Sequence, residues 1–257
     1  MSTLTLAARD SSTMVRRQLK RMLRYPSMTI QLIVTPVILL LLFVYVFGGT
    51  LGAGLGGGRG DYINYVIPGI LLMAVATAAT GTAVMVATDM TEGIIARFRT
   101  MRIWRPAVLT GHVVGAVIQQ VLGMVVLIGV ALVMGFSPNA TAVEWLATAG
   151  LLTLFVMAIT WLSVALGLKA QTPEAASNAP MPLILLPFLG SGFVPTDSMP
   201  TALRWFAEYQ PFTPIMETIR GLLMGNPIGS SAAIATAWCT AIALISYLWA
   251  KNTFNKA

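Results

Sequence analysis

The stretch DMTEGIIARFRTMRIWRP, residues 89–106, holds six charges in eighteen positions. Four are arginines, Arg97, Arg99, Arg102 and Arg105; two are carboxylates, Asp89 and Glu92. Uncharged runs flank it on both sides. Such a set suits charge contact with a partner or with lipid headgroups. Drawn as a helix, Ile94, Phe98, Met101 and Arg105 share one stripe, with Ile95 beside it and Arg97 and Arg99 flanking. The carboxylates at one end and arginines at the other suit the helix dipole. Trp104 is spaced to anchor among headgroups, and Pro106 opens the next element. The expectation is a short helix parallel to a membrane. Two readings stay open. One is a solvated loop whose arginines hold topology and touch anionic lipid, each contributing about 1 kcal/mol. The other is a rigid docking helix that carries force from a cytoplasmic motor.

Other chemistry is sparse. No lysine precedes Ser or Thr, so the phosphate-binding G-x-x-x-x-G-K-[ST] is excluded. Any ATP hydrolysis must then come from another subunit. Gly52, Gly54 and Gly57 match G-x-G-x-x-G, but no βαβ unit surrounds them. The apolar runs carry no Asp, Glu, Lys or Arg at mid-span, which argues against ion-coupled carriers and intramembrane hydrolases. His112 is the only histidine and Cys239 the only cysteine; no metal site and no disulfide within the chain are expected. His112 reads as an interfacial polar residue. Gln119 and Gln120 sit one to two turns into an apolar run. They act either as interhelix ties or as lining of a substrate path.

These residues must be positioned by a membrane-embedded fold. The chain has 257 residues, 56% hydrophobic and 10% charged, with mean hydropathy +0.79. Soluble domains carry about 25% charge. Continuous apolar runs of about 20 residues indicate transmembrane helices. Six spans are expected near 28–47, 62–88, 107–135, 145–168, 177–194 and 228–250, with a glycine-rich loop after the first. Pro180, Pro182 and Pro187 make the fifth kinked or irregular. Residues 1–26, with Arg9, Arg16, Arg17, Lys20, Arg21 and Arg24 among Leu6, Met14, Leu19, Met22 and Leu23, read as a basic amphipathic surface helix retained at the N-terminus. Of the 16 Lys and Arg, 13 lie in the N-terminus, 89–106, 169–176 and the tail. That places both termini in the cytoplasm and explains the net charge of +7 without nucleic acid.

Residues 195–227 are mixed in polarity and punctuated by proline, and the short helices expected there are too short to span. Residues 200–209, with Trp205, Phe206 and Glu208, form one expected short helix. Thr213 as N-cap, Pro214 at the first turn and Gly225 past the end frame another, which carries Glu217 and Arg220. The pair dips into the opposite face of the membrane or lies on it as an ordinary interfacial loop.

Two blocks carry a family resemblance. DMTEGIIARFRTMRIWRPAVLTG resembles the first cytoplasmic loop of ABC-2-type transporter permeases, above all the daunorubicin-resistance branch. Glu92-Gly93, Arg97, Arg99 and Arg105-Pro106 fill the pattern; Arg102-Ile103-Trp104 departs from a usual Pro-hydrophobic-Ser. The second block, 182–223, is similar to the family's C-terminal signature, with Gln210-Pro211 in place of Asn-Pro.

The resemblance implies an all-α integral membrane protein of six transmembrane helices. Its parts are an N-terminal amphipathic surface helix (1–26) and a six-span domain (27–257) with short outer re-entrant helices at 198–224. Residues 89–106 would be the coupling helix, with Glu92, Gly93, Arg97, Phe98, Arg99, Arg102 and Arg105 seated on an ATPase. Two permease copies would assemble with two ABC ATPase subunits in the cell membrane. ATP and Mg would bind the ATPase and no cofactor this chain. The implied activity is export of an amphipathic or apolar small molecule, a drug or antibiotic. Export of a glycolipid, lipid or polysaccharide precursor and a non-transporting membrane scaffold stay as alternatives.

Overall fold

The computed structural model describes residues 12–17, 20, 24, 26–93 and 106–256. Among these residues there are helices, turns and no strand. Five helices are long and apolar enough to cross a bilayer: Thr29–Gly54, Arg59–Thr91, Leu109–Val133, Ala142–Lys169 and Ser231–Phe254. The chain is a multi-pass membrane protein.

The first span consists of α1 (Pro26–Leu41), a π-helical segment (Leu42–Phe47) and α2 (Gly48–Gly54). The helix was expected to stop at 47 before a glycine loop; it continues through GGTLGAG instead. The glycines serve close packing there. A Cβ on Gly52 would run into the Gly58 carbonyl, and one on Gly48 would lie 3.2 Å from Arg59 Cγ. Small residues thus let the turn at 55–58 fold back tightly.

Helix α3 (Arg59–Thr91) is the axle of the bundle. It starts where the Asp61 carboxylate accepts the Gly58 N–H at 2.8 Å, and it packs on α1, α2, α4 (Pro106–Val133) and α5 (Ala142–Lys169). Thr141 and Glu144 cap α5 reciprocally, with Thr141 Oγ1 accepting the Glu144 N–H. Both α3 and α5 are largely buried, and their apolar residues Ile67, Leu71, Val75, Phe155 and Ile159 belong to one core. The last helix, α10 (Ser231–Lys256), lies along α5; Trp161 and Tyr247 meet edge to face at 5.0 Å.

The expected fifth span is not one helix. It comprises α6 (Pro173–Asn178), α7 (Met181–Leu185) and turns up to residue 194. Pro180, Pro182 and Pro187 each lack a ladder donor, so continuous helix is interrupted at the places where irregularity was expected. The segment nevertheless follows α3 from one end to the other. Ala176 packs with Ala83 and Ala87, Gly192 abuts Gly69, and the Phe193 carbonyl accepts the Tyr62 hydroxyl at 3.4 Å. Ala87 to Gly69 is about 27 Å at 1.5 Å per residue.

The crossing at Gly69 is tight: a Cβ there would lie 2.6 Å from the Gly192 carbonyl oxygen. Gly69→Val is therefore expected to destabilise by about 1–3 kcal/mol through forced backbone separation. Val66→Ala in the same helix is the comparison that removes volume instead. Thermal unfolding in lipid nanodiscs reads both; an unchanged midpoint for Gly69→Val would contradict the close approach.

After a 3-10 turn at Thr196–Ser198 come α8 (Thr201–Tyr209) and α9 (Phe212–Met224). Helix α9 is buried along most of its length. At one end, the Leu223 carbonyl accepts the Asn139 N–H at 2.9 Å, level with the α4–α5 turn. At the other, Phe212 meets Phe155 edge to face at 5.2 Å, 13 residues into α5 and so about 20 Å from its start. The frame expected for this helix needs one correction. Its N-cap is Pro211, and Thr213 lies inside. The Thr213 hydroxyl is used elsewhere: it accepts the Ser191 N–H at 3.4 Å and the Gln210 side-chain amide at 3.2 Å. Gly225 ends the helix as expected, left-handed at φ 72°.

Candidate functional site

Two polar sites stand at opposite ends of α3. The first lies where α3 ends and α4 begins, flanking residues 94–105. Asp89 is in the last turn of α3 and is almost wholly buried. Its Oδ2 lies 3.1 Å from His112 Nε2 on α4 and 3.6 Å from Arg17 Nη2 of the N-terminal segment. Residues 12–17 are helical there. Met14 packs into a cluster with Val86, Leu109, Val113, Leu168 and Phe254, while Arg16, Lys20 and Arg24 are exposed.

This geometry corrects the placement of the two carboxylates. They were expected at the start of a loop helix, favoured by its dipole. Asp89 instead belongs to the C-terminal turn of α3, and Glu92 is that helix's C-cap, its N–H donating to the Thr88 carbonyl at 2.9 Å. A carboxylate at a helix C-terminus faces the negative end of the dipole. Buried there, Asp89 has the two basic side chains of His112 and Arg17 within ion-pair distance of Oδ2, though neither makes a hydrogen bond to that oxygen. Gly93 follows with φ 69°, a left-handed turn that redirects the chain. Arg97, Phe98, Arg99, Arg102 and Arg105 lie outside the described residues.

The second site is at the Tyr62 end. Arg220 on α9 is buried, and its charge is met from several sides. Nε and Nη2 donate to the Tyr65 carbonyl at 3.3 and 3.2 Å, and Nη2 also donates to the Ser191 carbonyl at 2.7 Å. Nη1 donates to Glu217 at 2.7 Å, and the guanidinium sits 3.9 Å from the centre of the Tyr65 ring. One side chain thus ties α9 to α3 and to the broken segment. Pro68 in α3 lacks the N–H that would bond the Asn64 carbonyl, so the ladder is already opened beside Tyr65. On α8, Trp205, Phe206 and Tyr209 are exposed. Arg204 bridges Asp197 and Glu208 at 2.6 and 2.7 Å. Aromatic rings beside exposed ion pairs suit a membrane–water boundary.

Gln119 and Gln120 both reach other helices. The Gln119 amide donates to Thr29 Oγ1 on α1 at 3.1 Å, and the Gln120 amide to Thr160 Oγ1 on α5 at 3.3 Å. Among the described residues no three His, Cys, Asp or Glu side chains gather as a metal site.

Sequence reasoning missed Asp89, Tyr65 and Ser191 as polar partners. The only available signal was positional: Asp89 and His112 each stand within a few residues of the same loop. Nothing local marks Tyr65 or Ser191, because their carbonyls, not their side chains, bind Arg220.

The ABC-2 type transporter family model matches residues 10–224. The chain is similar to the daunorubicin resistance ABC transporter permease protein DrrB1 of Streptomyces coeruleorubidus. They share 28% identity over 204 residues, which is 79% of this chain and 70% of that protein. It is also similar to a protein of Mycobacterium tuberculosis named "Probable doxorubicin resistance ABC transporter permease protein DrrC". That match is 23% identical over 180 residues, 70% of this chain and 65% of the relative, just under two thirds of its length.

Proposed function

This chain belongs to the ABC-2 type transporter family, and from that premise we propose that it is the permease of an ATP-driven exporter of amphipathic or apolar small molecules. Its similarity to permeases named for resistance to daunorubicin and doxorubicin is the observation that carries the reading. In this reading a separate ABC ATPase, in two copies, hydrolyses ATP, and the chain pairs with a second copy of itself. The arginine-bearing segment after Glu92 and Gly93 docks the ATPase, and α3 transmits its motion.

Six crossings complete the architecture. Residues 173–194 count as the fifth, because their contacts follow α3 for about 27 Å, close to a bilayer core. Helices α8 and α9 form a re-entrant hairpin that closes the path on the outside, supported by the depth of Phe212 beside Phe155. Gln119 and Gln120 serve as helix ties, since both amides have partners across helices. Trp205 and Phe206 rest among outer headgroups.

The tagged permease is expected to copurify an ABC ATPase. In liposomes the pair should hydrolyse ATP severalfold faster when daunorubicin is added. A lipid-linked sugar that stimulates where daunorubicin does not would move the cargo to the glycolipid alternative. A captured ATPase indifferent to every cargo would leave a scaffold.

Orientation has its own test. Cys239 is fully buried, so an impermeant maleimide should not reach it in intact cells. Asn139→Cys, in the exposed α4–α5 turn, is expected to label, whereas Lys20→Cys and Lys251→Cys label only after permeabilisation. The reverse pattern would put the termini outside and remove the docking segment from the ATPase.

A further inference from the structure

We propose that His112 and Arg17, closing on the buried carboxylate of Asp89, form a clamp that fixes both roots of segment 94–105 to the N-terminal helix and so positions the segment for docking. The proposal rests on the reading of that segment as the ATPase contact. Asp89 is four residues before the segment leaves α3 at Gly93, and His112 is six residues into α4 after it re-enters at Pro106. The Asp89–His112 contact of 3.1 Å therefore bridges the base of the segment. Side-chain exposures of 5% for His112 and 2% for Asp89 keep water from competing. Burying a carboxylate in the closing turn of a helix is costly, and here two basic side chains from other chain segments stand around it.

Arg17 brings in the third element. It lies 3.6 Å from the same carboxylate oxygen, and Met14 holds the N-terminal helix onto α4 so closely that a Cβ on Gly111 would meet it. Three chain segments thus converge on one oxygen atom. Apolar packing alone would let α3 and α4 slide; a shared buried oxygen does not, because any separation strands a charge in a dry site. The clamp makes the roots move as one body, which is what a segment needs if it is to transmit displacement rather than absorb it. Asp89, His112 and Arg17 are positioning residues and touch no cargo.

The first measurement uses the permease alone in lipid nanodiscs, with Cys239→Ala and spin labels at Thr91→Cys and Lys20→Cys, both exposed positions. A narrow distance distribution is expected for the parent. Asp89→Asn and His112→Leu should broaden it, and the double variant should broaden it no further. His112→Gln, which keeps a donor near the Nε2 position, should restore the parent distribution. The second measurement uses the complex with its ATPase and daunorubicin. Asp89→Asn should raise the ATP consumed per daunorubicin exported by about tenfold, the scale packed coupling elements carry, while ATPase capture persists. A parent-like distance distribution in both single variants, or additive effects in the double, would overturn the clamp. Failure of the parent to capture any ATPase would remove the docking reading and leave the distance result to decide the clamp by itself.

Discussion

Arg220→Ala is expected to destabilise the protein by about 3 kcal/mol. The change strands the buried carbonyl of Ser191 and the half-buried one of Tyr65, which Arg220 satisfies with its fork. Hydrogen bonds to a charged group each contribute about 1.5–3 kcal/mol, and unmet buried acceptors keep their desolvation cost. Stacking on Tyr65 at 3.9 Å adds a smaller part. The ion pair with Glu217 adds little, because that carboxylate is 43% exposed. The loss should appear as a fall of about 6–12 °C in the unfolding midpoint in nanodiscs, by the scaling for chains of this size. Arg220→Lys keeps the charge but not the planar fork, so about half the loss should remain. A midpoint for Arg220→Ala within about 2 °C of the parent, small on that scale, would show that the guanidinium ties nothing. Glu217→Gln is the contrast and should be close to silent.

Arg220 also shows where sequence reading stops. Its place on a short helix with an apolar face was legible, since Ile215, Met216, Ile219 and Leu223 recur at helical spacing and all are buried. So was the Gly225 stop. Its partners were not, because backbone carbonyls on α3 and in the broken segment leave no trace in residue type. Five long apolar runs were equally legible, since lipid demands continuous apolar helix. The boundaries were less so: α3 takes in Asp89, because a charge at a span end is read as loop until a burying partner is known. His112 lies 23 residues later, and its proximity comes only from folding. The glycine-rich stretch after the first span was misjudged for a related reason. Glycine lowers helix propensity by about 1 kcal/mol, but Gly48 and Gly52 are kept helical by the close return of residues 58 and 59. The segment expected as a fifth span is broken where its three prolines suggested irregularity, and its route along α3 came only with the contacts of Ala176 and Gly192.

Reversing Arg97, Arg99, Arg102 and Arg105 together to glutamate is expected to abolish ATPase capture and export. If each arginine contributes about 1 kcal/mol to a charged docking contact, their loss weakens capture by about 4 kcal/mol, close to a thousandfold; repulsion adds to that. A loop that only touches anionic lipid gives a different result. Its arginines contribute about the same per residue, but to the membrane, so ATPase capture would survive the reversal. Reversal also removes four of the 13 cations that the proposed orientation places on one side; nine remain. Asn139→Cys labelling from outside must therefore stay unchanged in the reversed protein before the loss is assigned to docking. Arginine-to-lysine replacement at the same four positions then tells charge from shape. It keeps the field and the topology but gives up the planar donor fork, so capture that falls with lysine identifies paired carboxylates on the ATPase as the surface that receives the segment.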